Sequence, residues 1–216
     1  MQQYLRGEIE PMRRLAREKA EAMRKSSDGA RVYAESNHCF IKGFGWFLPE
    51  HIPQEKIGVV ILRRDKAKIA ESTLRIGCNP TEALGKDWIM TPEMDSPLIE
   101  PPRLLVSPKM TYKLVIGIKF LCRVVRALAR RIFRVHLECY PQWIKDYEYR
   151  CVEWYVDETN AQAARYQERF PNITYFEANV DDLNSIEKVE RMIAHFGLEA
   201  GESLRSVVGV ATNLKR

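Results

Sequence analysis

The apolar positions change period along the chain, and those changes divide it into elements. Residues Ile57 to Leu62 form a short run rich in β-branched side chains, the pattern of a strand buried on both faces. Asp65 follows as a helix N-cap, and Ala67, Ile69, Ala70 and Leu74 continue at helical spacing. The pattern predicts a strand, a turn and a helix, with two arginines where the strand stops. In open α/β sheets that carboxyl edge is where ligands bind.

Other segments follow the same logic. Met12, Leu15, Ala16, Ala20 and Met23 make one stripe over residues 11–24, predicting a packed helix with a solvated basic face. Arg31 to Glu35 reads as a short strand. Phe40, Phe44, Trp46 and Phe47 are assigned to the core. Residues 77–108 hold six of the 11 prolines, which disfavours helix and strand alike and predicts a long loop. Leu114, Ile118, Leu121, Val125, Leu128 and Ile132 then mark a helix over 109–136, and an aromatic-rich helix is predicted over 143–170. Ile173 to Phe176 reads as a strand. A last helix is predicted with Asn184 as its cap, Glu187 as capping-box partner and Gly197 past its end. Asp181 and Asp182 read as a cap pair rather than as paired catalytic carboxylates. The alternation predicts one α/β domain, with a parallel sheet of at least three strands near residues 31, 57 and 173.

Composition narrows the functional classes. The 216 residues carry 34 basic and 29 acidic side chains, a net charge of +5, which favours anionic ligands or surfaces. The five cysteines are scattered without a CxxC pair, and the four histidines are dispersed. Neither a zinc site nor a disulfide framework is suggested, and a reducing, cytoplasmic setting fits. Lys113, Lys119, Arg123, Arg126, Arg130, Arg131 and Arg134 interrupt the 109–136 helix, so it does not read as a membrane span. It either covers the sheet with its arginine stems packed along the edges, or lies on an anionic membrane surface beside a lipid acceptor. Basic residues do not gather with stacking aromatics, so no nucleic-acid module is expected.

Ser72 lies seven residues after Asp65, about two helical turns on, and so shares its azimuth. A hydroxyl on the helix and the Arg64 guanidinium would then converge on one anion; the plainer alternative is a surface arginine and an ordinary helix serine. Arg64-Asp65 with Ser72 resembles the 3′-phosphate-binding motif of sulfotransferases that use 3′-phosphoadenosine 5′-phosphosulfate. Tyr33-Ala-Glu-Ser-Asn-His-Cys-Phe-Ile-Lys42 is similar to that family's strand carrying its catalytic histidine. Ile173-Thr-Tyr-Phe-Glu177, Asp182-Leu183 and His195-Phe-Gly-Leu198 resemble its late strand and helix.

The resemblance implies a three-layer fold of the P-loop NTPase type, with Arg64 and Ser72 on the 3′-phosphate and His38 or Glu35 as the base. It implies the phosphosulfate donor, 3′-phosphoadenosine 5′-phosphate as product, no metal, and a small-molecule, lipid or carbohydrate acceptor shaped by residues 77–108. Lys215 and Arg216 would stand over the 3′-phosphate. Lys42 reads as an anion ligand or a solvated lysine. The family's Gly/Ser/Thr-rich loop for the 5′-phosphosulfate has no counterpart ahead of residue 31, so the expected domain lacks its first strand and loop. The alternative is a catalytically inactive relative that binds a partner or a membrane surface through 109–136.

Overall fold

A computed structural model describes residues 8–26, 32–104, 106–134, 140–202 and 204–208. Helices dominate. In chain order the elements are α1 (Glu10–Ser26), β1 (Gly58–Arg63), α2 (Lys66–Arg75), α3 (Ala83–Trp88), α4 (Pro108–Phe133), α5 (Gln142–Arg169), β2 (Thr174–Asn179), α6 (Ile186–His195) and α7 (Leu204–Val207). Single 3₁₀ turns cover Phe44–Glu50, Gln54–Lys56 and Val180–Asn184.

The sheet among the described residues is two strands, β1 and β2, parallel and in register from Gly58 opposite Thr174 to Arg63 opposite Asn179. Two expectations change here. The strand predicted near residue 31 does not form in its described part: residues 32–37 run without ladder partners, and Val32 and Tyr33 are exposed. Polar side chains dominate that segment, and Glu35 takes hydrogen bonds from Tyr33 and Asn37, a local solution that competes with pairing. The second change concerns β1, which is not buried on both faces. Burial alternates along it, and Val60 and Leu62 are exposed. With one neighbour strand, an apolar run has only one well-covered face.

α5 is the element the others pack on. Tyr166, Phe170 and Ile173 join Met12, Ala16, Phe44, Trp46, Leu48 and Ile57 in the largest buried cluster. That cluster contains the predicted aromatic group and the α1 stripe. Ala70 of α2 meets Ile89 and Val152, with Leu74, Tyr149 and Tyr155 packed around them. α4 does not cover the sheet as expected. It lies against the first half of α5, placing Tyr112 and Val115 on Ile144, Tyr147 and Cys151.

The Pro-rich stretch is packed rather than loose. It contains α3, which the proline count hid, because Pro80 and Pro92 flank a proline-free hexad. Gly85 is required there: a Cβ would fall 1.9 Å from the Asn79 carbonyl oxygen. Beyond α3 the chain is tied to α5 by polar bonds. Glu158, fully buried, accepts from the backbone N–H of Leu98 at 3.1 Å and of Ile99 at 2.8 Å. The indole of Trp154 donates to the Ile99 carbonyl at 2.8 Å. Ahead of α3, Lys119 of α4 is 2% exposed and bonds Glu148 of α5 at 2.7 Å, Thr81 at 2.9 Å and Glu82 at 3.0 Å.

Late in the chain, Asp182 and Asn179 form a capping box, which is the structural role expected of the aspartates. The α6 cap is Ser185, one residue after the predicted Asn184, and accepts from Lys188 N–H. Gly197 takes φ +70° past its end.

Glu158→Ala tests the tie between loop and helix. It leaves two backbone donors without their acceptor and opens a small cavity, so a loss of about 3 kcal/mol is expected. Urea unfolding measures it.

Candidate anion-binding site

The candidate residues fall in two parts, the β1–α2 turn and residues 35–42, linked to each other through α5. Asp65 caps α2, accepting from the Lys68 N–H at 2.9 Å, so the helix begins immediately past the carboxyl end of β1. The first-turn N–H groups and helix dipole favour an anion there. The flanking cations are engaged. Arg63 donates to Asn160 of α5 and pairs with Glu177 at 3.2 Å. Lys66 pairs with Asp157 of α5 at 2.8 Å. Arg64 between them is exposed and has no hydrogen-bond or ion-pair partner among the described residues.

Ser72 is half-buried, and its hydroxyl likewise has no protein partner among the described residues. It follows Ala70, the residue α2 presses on α5, by about 200° of helical rotation. Ser72 therefore faces away from α5. Arg64 and Ser72 share the strand–turn–helix unit, and no described residue bridges them. Lys215 and Arg216 lie outside the described residues.

The second part carries most of the local chemistry. His38 stacks on Trp88, ring centroids 4.5 Å apart and 17° from parallel. Partial burial pushes its imidazole pKa down, and the nearby Lys42 charge adds to the effect. It is therefore neutral at pH 7 and able to accept a proton. Glu35 behaves in the opposite way. Its side chain is 19% exposed and accepts from Lys19 at 2.5 Å, Tyr33 at 2.6 Å and Asn37 at 2.5 Å. Burial pushes the carboxyl up, but these donors outweigh it and hold the pKa at about 2. A carboxylate so well satisfied is a weak base, and its geometry fits holding residues 33–37 against α1.

Lys42 is neither solvated nor open to an anion. It is 3% exposed, and its ammonium donates to the Trp88 carbonyl at 2.6 Å and to the Tyr155 hydroxyl at 3.1 Å. Tyr155 also packs against the Ala70, Ile89 and Val152 cluster. The chain of contacts thus runs from His38 through Trp88, Lys42 and Tyr155 to the face of α2 opposite Ser72. Sequence reasoning did not find Trp88 or Tyr155. The available signal was Lys42 itself, a lone cation inside Phe40-Ile-Lys-Gly-Phe-Gly-Trp46.

A separate cavity of about 220 Å³ opens between β2 and α6, lined among others by Phe176, Ala178, Lys188, Arg191 and Met192. Lys188 is already paired with Asp182 there, and neither Arg64, Ser72 nor His38 borders it. Among the described residues no group of three or more His, Cys, Asp or Glu is placed to hold a metal ion.

Compared with known proteins, the chain matches no protein-family profile, no curated protein and no solved structure.

The Glu35 assignment predicts an acid response. A carboxyl held below its ordinary value of 4.5 contributes stability that is full above 4.5 and lost as pH falls towards about 2. Glu35→Gln should flatten the fall in stability across that window, read by thermal unfolding against pH. An unchanged profile contradicts the assignment.

Proposed function

We propose that this chain is of sulfotransferase type, moving a sulfuryl group from 3′-phosphoadenosine 5′-phosphosulfate to a hydroxyl or amine acceptor. The carrying observation is Arg64: a cation without a partner among the described residues at the β1–α2 turn, beside two cations that are paired. A guanidinium held at a strand's carboxyl end beside a helix N-terminus suits a dianionic phosphate. The Ser72 hydroxyl, also without a partner among the described residues, suits the same 3′-phosphate from the helix. These residues fit the 3′ end of the donor. Among the described residues no glycine-rich loop is placed for its 5′ end.

The donor, when bound, supplies the activated sulfuryl group. With the donor bound, His38 would accept the proton of the acceptor hydroxyl or amine at an imidazole nitrogen. The other product is 3′-phosphoadenosine 5′-phosphate. Positioning and charge stabilisation do most of the catalysis, by analogy with phosphoryl transfer. The finer architecture attached to this reading is a three-layer α/β fold. It draws support from α5, bonded to Arg63 on one side of the strand pair, and from α6. The ring of Phe196, at the end of α6, lies so close to Gly58 that a Cβ there would meet it at 2.8 Å.

Calorimetry with 3′-phosphoadenosine 5′-phosphate tests the reading. The wild type should bind, and Arg64→Ala should weaken binding by about 2 kcal/mol, roughly thirtyfold. Ser72→Ala should cost about 1 kcal/mol. No binding by the wild type removes donor use, and equal binding by wild type and Arg64→Ala removes the Arg64 role.

A further inference from the structure

Among the described residues, only one flank of α4 is covered. Tyr112, Val115 and Lys119 face α5, while Met110, Leu114, Leu121, Val124, Val125, Leu128 and Ile132 are exposed on the opposite side. Phe120, 66% exposed, borders that row. These positions recur at steps that keep to one side of the helix, with a seven-residue gap from Leu114 to Leu121, so they form one apolar stripe down a helix of 26 residues, about 39 Å long. An uncovered stripe of that size marks an interaction surface.

The charges identify what covers it. α4 contains seven lysines and arginines and no aspartate or glutamate. Lys119 is buried against Glu148, and Arg123 pairs with Glu82. Lys113 and Arg131 lie about 80° round the helix from the centre of the stripe and edge one side of it, with Lys109 and Arg134 farther round on that side, while Arg130 shares the azimuth of Tyr112. A second copy would set two such cationic helices side by side, like charge against like charge. An apolar face edged by cations fits instead an anionic bilayer, with the stripe among the acyl chains and the cations at the headgroups. No helix among the described residues is long and apolar enough to cross a membrane, so α4 would lie in the plane of the surface.

We propose that α4 docks this protein on anionic lipid surfaces, with Leu121 and Leu128 inserted and Lys113 and Arg131 at the phosphates. The inference is independent of donor binding, because none of these residues belongs to the anion site.

Co-sedimentation of the full chain with lipid vesicles tests it. Vesicles of phosphatidylcholine with about 30% phosphatidylserine should retain the protein at least about tenfold better than phosphatidylcholine alone, and about 0.5 M salt should remove most of that advantage. Leu121→Glu with Leu128→Glu should abolish retention, and Lys113→Glu with Arg131→Glu should reduce it about tenfold or more. All four side chains are exposed, so the variants should keep the wild-type melting curve, which is checked by circular dichroism. Failure of the folded wild type to bind anionic vesicles overturns the proposal. So does full retention of the Lys113 and Arg131 variant. A salt-resistant dimer that the leucine variant breaks, without vesicle binding, assigns the stripe to a second copy. Binding to soluble polyglutamate as tight as to vesicles, and untouched in the leucine variant, assigns the flank to an acidic protein.

Discussion

The structure depends on polar groups that one helix carries into its own interior. Glu148 and Glu158 lie ten residues apart on α5, about 15 Å along its axis, and both are buried. A buried carboxyl group is costly unless fully bonded. Each is bonded, but by different means. Glu148 takes the ammonium of Lys119 and the hydroxyl of Thr81. Glu158 takes two consecutive backbone N–H groups and the Gln162 amide. Apolar packing could be satisfied by several placements of the 78–107 segment. These directional bonds are satisfied by few, so they select one.

That selection reaches the candidate site. α3 is fixed between the Lys119 and Glu158 anchors, and its last residue supplies both the indole that stacks on His38 and the carbonyl that holds Lys42. Tyr155, one turn before Glu158 on α5, completes the ammonium's shell and packs towards α2. The position of the imidazole therefore rests on the same helix that positions the Pro-rich segment. The β1–α2 turn is tied to α5 as well, through Arg63 with Asn160 and Lys66 with Asp157. Arg64 is left outside this system of ties, facing solvent.

Elements whose burial follows a simple period were legible in the sequence. The α1 stripe, the Asp65 cap, the long helices near 109 and 143 and the Gly197 terminus all follow from local pattern and cap chemistry. Burial set by distant partners was not legible. Lys42 looks like any lysine until Trp88 and Tyr155, 46 and 113 residues away, close over it. Val60 and Leu62 look like core until the sheet proves to have two strands. The hexad of α3 disappears into a proline count because six residues are too few for a period to register. The described part of the strand expected near residue 31 does not pair, because Glu35 has better partners in Lys19, Tyr33 and Asn37 than a ladder would offer. Arg64 and Ser72 could be placed on their elements, but the chemistry that unites them had to be supplied by resemblance.

If buried polar bonds on α5 order the surrounding chain, the Lys119–Glu148 pair should act as a unit. A double-mutant cycle with Lys119→Met and Glu148→Leu, read by urea unfolding, measures this directly. Each single change strands a buried polar group and should cost about 3–5 kcal/mol, while the double variant should lose clearly less than the sum. Additive losses would contradict the account, since they would mean that the two side chains stabilise the fold separately and that α5 does not organise it through them.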